Sequence, residues 1–183
     1  MEYDLIRSSR KTVSAQITKG KLILRVPRRT TKAQIEAFLR AHSRWIETHL
    51  ASSREQMAQA AALPKLTPAD IQNLKRQAQE VIPERVAHFA PLVGVSVGRV
   101  TIRCQKSRWG SCTSQGNLSF NCLLMLVPPE VLDSVVVHEL CHRKEMNHSR
   151  RFYDEVLRVM PDYHQRHGWL RENGTMLLSR IHN

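Results

Sequence analysis

The sequence lacks the long apolar segments that cross membranes. Its 183 residues are 42% hydrophobic and 24% charged, and no run approaches the roughly 18 to 20 apolar residues that a membrane-spanning helix needs. The first residues, MEYDLIRSSRK, also lack the apolar core of a secretory signal. We therefore expect a globular protein of the cytoplasm, built as one domain or as one domain with a small additional lobe.

Cysteine is scarce as well. No two cysteines are spaced as CxxC, and a chain of this length does not depend on disulfides for its core. In a protein without an export signal we expect reduced, packed thiols at all of them, namely Cys104, Cys112, Cys122 and Cys141.

Acidic residues are few: 16 against 28 lysines and arginines, which gives a net charge of +12. An excess of this size favours an anionic partner, such as nucleic acid, a nucleotide or an acidic protein segment. However, aromatic residues make up only 5% of the chain, and stacking platforms for bases need them. An ordinary solvated surface therefore explains the charge equally well. Much of it falls in the first third, at Arg7, Arg10, Lys11, Lys19, Lys21, Arg25, Arg28, Arg29 and Lys32.

Residues 1–66 read as a basic lobe made of a hairpin and a helix. Apolar residues alternate on both sides of Lys19-Gly20 within residues 12–26, which predicts two antiparallel strands. Thr31 and Gln34 form a capping box at the start of a helix that we expect to reach about residue 51. Residues 52–64 continue that helix or form a connecting arm.

Residues 67–183 read as a second, mixed domain. A helix should begin after Thr67 and run to about residue 90, with a kink or interruption at Pro83. Alternating apolar residues predict strands over 94–104 and 117–126.

Three further helices are predicted in the last third of the chain. The first covers about 130–145, has a largely apolar face and should end at Asn147. Ser149 caps the second, and the third is capped by Asp162 and Gln165 and ends near Gly174. Together with the strands, these helices predict an α+β fold.

The segment VVVHELCH at 135–142 carries the main chemical signal. His138 and His142 are four residues apart, so on a helix they lie on one face and both can bind one ion. Zinc accepts imidazole nitrogens, and catalytic zinc sites use three protein ligands. Glu139 is then the expected base, which takes a proton from the attacking water. The surrounding valines and Leu140 indicate a buried helix, where unpaired histidines and a glutamate would be costly.

His148 is the first choice for a third ligand, because it follows His142 by six residues. Metzincin proteases use the same interval but have a glycine where this chain has Glu145, so the chain must turn differently here. Cys141 lies inside the motif, and we expect it to be packed and not to be a fourth ligand. Rival third ligands are Asp154, Glu155, Asp162, His164 and His167.

The segment KSRWGSC at 106–112 supplies further candidates for substrate binding, namely Arg108, Trp109 and Ser111. Arg108 can bind an anionic group or the developing oxyanion, above an edge strand that pairs with the substrate backbone. Trp109 is also a good core residue, and Gly110 suits a tight turn. Weaker candidates are Asn117, Asn121, Tyr153 and Tyr163.

Taken together, these motifs resemble the YgjP-like metallopeptidase family. This resemblance covers nearly the whole chain. The chain is also similar, more distantly, to the SprT-like and WLM proteases. It rests on RVPRRTTKAQIEAFLRAHSRWI, KSRWGSC, NLSFN at 117–121, VVVHELCH, NHSRRF at 147–152 and PDY at 161–163.

The resemblance implies a minimal zincin-like α+β fold, with a small mixed or antiparallel sheet packed on the HExxH helix. We expect residues 1–66 to form the N-terminal lobe and residues 67–183 to form the catalytic domain. The resemblance also implies one zinc ion per chain and a polypeptide substrate. In this site the ligands are His138, His142 and His148, and Glu139 is the base.

Two alternatives remain at this point. Some relatives are associated with a nucleotide pyrophosphatase role, so the bond hydrolysed could be a phosphoanhydride such as that of UTP. The basic surface instead favours a nucleic-acid-associated protease or a binding module.

Overall fold

The computed structural model describes residues 2–18 and 20–181. The chain divides into two compact units, Met1–Ala62 and Leu63–Asn183. Helices and strands occur in both, which confirms the α+β class. The division falls before residue 66, since Leu66 is buried in the core of the second unit. Among the helices of the described residues, none is both long and apolar enough to cross a membrane.

The first unit contains a three-stranded sheet with the order β1-β3-β2, formed by β1 (Asp4–Ser8), β2 (Ser14–Thr18) and β3 (Lys21–Pro27). Strands β2 and β3 are antiparallel, which confirms the hairpin. Strand β1 was not predicted and pairs with β3 in parallel. Lys19 of the predicted turn lies outside the described residues, and Gly20 has a φ of 71°, a conformation that favours glycine.

Two helices follow the sheet, α1 (Lys32–Ala41) and α2 (Ser43–Ala62). The predicted capping box begins α1, with Thr31 and Gln34 bonding each other's backbone N–H. The single helix expected to reach about residue 51 is divided at His42 into α1 and α2. Helix α2 extends to Ala62, so most of residues 52–64 continue the helix. The core between sheet and helices consists of Leu22, Leu24, Val26, Ile35, Ile46 and Leu50.

The cations of this unit differ in their surroundings. Arg7 donates hydrogen bonds to the carbonyl oxygens of Arg28 and Thr30 at 3.0 and 2.8 Å, so it supports the chain after β3. Lys21 and Arg25 are exposed. Binding of an anionic partner to this surface stays a prediction.

The second unit packs helices around a small sheet. Its strands are β4 (Val100–Arg103), β5 (Gly110–Cys112) and β6 (Leu118–Asn121), in the order β4-β6-β5. The sheet is mixed, since β4 is parallel and β5 antiparallel to β6. A 3-10 helix over Cys122–Leu126 follows β6. The helices are α3 (Pro68–Val93), α4 (Pro129–Cys141), α5 (Arg150–Val159) and α6 (Tyr163–Ser179).

Several element boundaries in this unit differ from the prediction. Pro83 does not interrupt α3, because its neighbours Ile82 and Val86 are buried in the core and hold the helix there. Only four residues of 94–104 are strand, matching the four residues of β6 with which they pair. Strand β6 itself ends at Asn121, whose side chain accepts a hydrogen bond from the N–H of Leu123 and begins the 3-10 helix.

The helices around the HExxH segment also end at unexpected places. Helix α4 ends at Cys141, so Asn147 lies in the following turn and not at the helix end. Asp162 precedes α6 without a side-chain cap, and the helix continues to Ser179. Gly174 is therefore not a stop. It lets the helix approach Trp109, whose Nε1 atom would be 3.1 Å from a Cβ at position 174.

Candidate active site

Helix α4 places the HExxH side chains. Its apolar residues Val136, Val137 and Leu140 are fully buried and fix the rotation of the helix about its axis. Asp133 accepts two hydrogen bonds from Arg85 of α3, at 2.7 and 2.8 Å. Such a bidentate ion pair holds geometry as well as adding stability. The helix is thus anchored on the side away from the histidines.

The turn after α4 brings His148 back to the helix. Glu145 N–H donates to the carbonyl of Cys141 at 3.1 Å, which closes the chain reversal. Lys144 then pairs with Glu155 of α5 at 2.8 Å. As a result, the Nε2 atom of His148 lies 3.0 Å from that of His138. Ring nitrogens of the three histidines of the motif all lie within 4.8 Å of one another.

The outer ring nitrogens of the two helix histidines have their own partners. His142 Nδ1 donates to the carbonyl oxygen of Glu145 at 3.0 Å, and His138 Nδ1 lies 2.7 Å from the hydroxyl of Tyr163. Such partners fix the ring and its tautomer in metal sites and leave Nε2 as the ligand atom. Two ligands of a tetrahedral zinc are about 3.3 Å apart, close to the 3.0 Å between the Nε2 atoms of His138 and His148. The donor set therefore fits zinc.

Burial acts on the protonation of both helix histidines. It lowers the pKa of His138 to about 3, with a smaller contribution from the neighbouring histidines. It also lowers the pKa of His142 below its usual value. Both rings are therefore neutral at pH 7, which is the form that binds a metal.

Glu139 is buried and faces β5. Its carboxylate lies against the backbone of Gly110, where a Cβ atom would be 2.5 Å from Oε1. Burial raises the pKa of Glu139 to about 8. A cation at the adjacent histidines would act in the opposite direction and favour the carboxylate.

A cavity of about 490 Å³ lies beside these groups. Helix α4 contributes Val135, His138 and Glu139, and the turn contributes His148. The other walls come from the segment before β5, from the start of β5 and from α5 and α6, with Ser107, Arg108, Trp109, Gly110, Tyr153, Tyr163 and His167.

Asn121, a weaker candidate from the sequence, supports the cavity wall and does not line the cavity. It is 1% exposed, and its amide donates to the carbonyls of Gln105 and Arg108 at 2.7 and 2.8 Å. Its backbone N–H donates to the carbonyl of Trp109 at 2.9 Å. Asn121 therefore holds the cavity wall in place through these three hydrogen bonds.

The remaining candidates have other positions. Ser111 lies opposite Ser119 in the sheet and does not line the cavity. His167 lines the cavity but is not one of the three grouped histidines. Cys141 is fully buried, as the packing interpretation expected. The rival ligands Asp154, Glu155, Asp162 and His164 also stay outside the group, with Glu155 and Asp162 in ion pairs.

The contact between Gly110 and Glu139 predicts a sensitive position. Gly110→Ala should displace the carboxylate and lower activity by about a hundredfold, because a shift of about 1 Å in catalytic geometry has that effect. Metal binding should persist, since the three atoms nearest to a Cβ at position 110 all belong to Glu139 and none to a histidine. Gly168→Ala is the matched control, because its nearest contact would be 3.9 Å away. Equal activity of both variants in a cleavage assay would contradict the assigned contact.

The chain was compared with protein families, with curated proteins and with solved structures. The family model described as "YgjP-like, metallopeptidase domain" matches residues 11–70 and 64–173. No curated protein matches the chain. A similar solved structure is the metallopeptidase zymogen abylysin of Pyrococcus abyssi, with 21% identity and a TM-score of 0.46, covering 49% of this chain and 91% of that one.

Proposed function

Because the chain belongs to the YgjP-like metallopeptidase family, we propose that it is a zinc-dependent peptidase that hydrolyses peptide bonds of polypeptides in the cytoplasm. The observation that carries the proposal is the grouping of three imidazoles beside a cavity that is also lined by one buried carboxylate. The ligands are His138, His142 and His148. The cytoplasmic location rests on four free cysteines, which suit a reducing compartment.

Zinc bound by these imidazoles would lower the pKa of water to about 7 and polarise the scissile carbonyl. Glu139 then accepts the proton of the attacking water and passes it to the leaving amine. Its contact with Gly110 fixes the carboxylate for both transfers. With Nε2 of His138 as the ligand atom, its Nδ1–H donates to the hydroxyl oxygen of Tyr163, 2.7 Å away, and this hydrogen bond orients the ring.

Hydrolysis of a phosphoanhydride is supported less well. Magnesium, the usual partner of phosphates, is bound through carboxylates and keeps several waters. Among the described residues that line the cavity, Glu139 is the one carboxylate. Three imidazoles suit zinc better than magnesium.

The proposal predicts about one zinc ion per chain in the purified protein, measured by elemental analysis. Cleavage of an unstructured protein such as casein should stop on treatment with a chelator and return with added zinc. The zinc-loaded protein should release no pyrophosphate from UTP. A chain that binds no transition metal after reconstitution, or that cleaves equally well in chelator, would overturn the proposal.

A further inference from the structure

The cavity wall has one basic and one acidic side chain, and only the basic one is placed to bind a charged group of the substrate. Arg108 is the one arginine or lysine among the described residues that line it, and Glu139 is the one acid. Glu139 is buried and contacts Gly110, so it is placed for proton transfer and not for an ion pair with Arg108. The remaining walls are histidines, tyrosines, Trp109, Val135 and small residues. The cavity wall therefore offers a ligand one basic side chain that has no acidic partner.

The backbone that carries Arg108 is fixed at two points. Its carbonyl oxygen accepts a hydrogen bond from the buried amide of Asn121 at 2.8 Å. The next residue, Trp109, packs its indole against Gly174 of α6. Because the backbone of this wall is already fixed, a ligand that binds to it need not order the backbone.

The guanidinium itself is free to bind. Arg108 is exposed, and within residues 2–18 and 20–181 its side chain makes no hydrogen bond or ion pair. Arg143 of the same unit differs, since its guanidinium donates to the carbonyls of Ser96 and Ser114. Arg108 therefore has no structural task that would explain an arginine at the cavity.

We propose that Arg108 determines specificity by binding a carboxylate of the substrate peptide beside the scissile bond. This inference rests on the proposed peptidase function. A guanidinium offers two parallel N–H donors that match a carboxylate, a geometry that lysine cannot reproduce. The carboxylate can come from an aspartate or glutamate side chain or from the C-terminus of the peptide.

Binding to a non-cleaving protein tests the inference apart from catalysis. The zinc-loaded Glu139→Gln protein is titrated with fluorescent peptides that differ only by glutamate against glutamine at each position, and by a free against an amidated C-terminus. We expect the preferred carboxylate peptide to bind about tenfold or more tightly than its neutral match, as for hydrogen bonds to charged groups. The position of the effect identifies the source of the carboxylate.

Second-site variants assign the effect to Arg108. Arg108→Gln in the same background should remove the preference, and Arg108→Lys should retain part of it. Arg108→Glu should reverse it, so that a lysine peptide binds more tightly than a glutamate peptide. Arg103→Gln is the control, because Arg103 is exposed on β4 and does not line the cavity.

The outcomes separate this inference from the proposed function. A binding preference that depends on Arg108 upholds the inference, whether or not the peptides are cleaved. If the protein with Glu139 intact cleaves none of the peptides, that result counts against the peptidase function. Peptides that bind without a carboxylate preference, a preference that survives Arg108→Gln, or no peptide binding at all would overturn it. If Arg108 stabilises the oxyanion instead, Arg108→Gln will slow cleavage of neutral and acidic peptides equally and leave binding unchanged.

Discussion

Replacement of Glu139 by glutamine should lower peptide cleavage by about 10²–10⁴-fold, the usual contribution of a general acid and base. Glutamine has nearly the same shape, so it fits against Gly110, but its amide cannot accept and return a proton. Zinc content should stay near one ion per chain, because the ring nitrogens of His138, His142 and His148 are unchanged. The measurement is kcat/KM on a quenched fluorescent peptide together with elemental analysis of the same sample.

The matched control is Glu130→Gln, which makes the same change in the first turn of the same helix. Glu130 is exposed and lies outside the cavity, so this variant should cleave like the wild type. Undiminished cleavage by Glu139→Gln would show that another group serves as the base. Loss of zinc from that variant would show that Glu139 supports the metal site and not proton transfer.

The sequence was informative wherever one short segment determines the geometry. The spacing of His138 and His142 follows from the helical repeat, and the structure groups both with His148. The caps at Thr31 and Ser149 and the helix start after Thr67 were predicted, because each depends on a local side-chain hydrogen bond. These features depend on residues a few positions apart, so periodicity and residue type suffice to predict them.

Features that depend on distant residues were missed. Gly174 was predicted to lie near a helix end, yet it lies inside α6, where the absence of a side chain leaves room for the indole of Trp109, 65 positions earlier in the chain. Asn121 was named only as a weak candidate and Gly110 only as a turn residue. Their contacts, with the carbonyl of Arg108 and the carboxylate of Glu139, are formed by the fold and were not predicted. Strand β1 was also missed, because its pairing with β3 skips the intervening hairpin strand.

Removal of the third imidazole should have the largest effect on the metal. His148→Ala should weaken zinc binding by at least about a hundredfold, since loss of even an outer-shell partner of a ligand has an effect of 10–100-fold. His148 is exposed, so its truncation should leave the fold of the metal-free protein intact. Competition with a chromophoric chelator measures the affinity, and thermal unfolding with and without zinc measures the linked stability.

The stability readout follows from mass action, because a ligand that binds only the native state stabilises it by about 2.7 kcal/mol at a hundred times its dissociation constant. Zinc should therefore raise the melting temperature of the wild type and have little effect on His148→Ala. His164→Ala is the control, since this exposed histidine of α6 was a rival ligand but lies outside the grouped three. Equal zinc affinity of His148→Ala and the wild type would mean that the third ligand is another residue, with His167 of the cavity wall as the next to test.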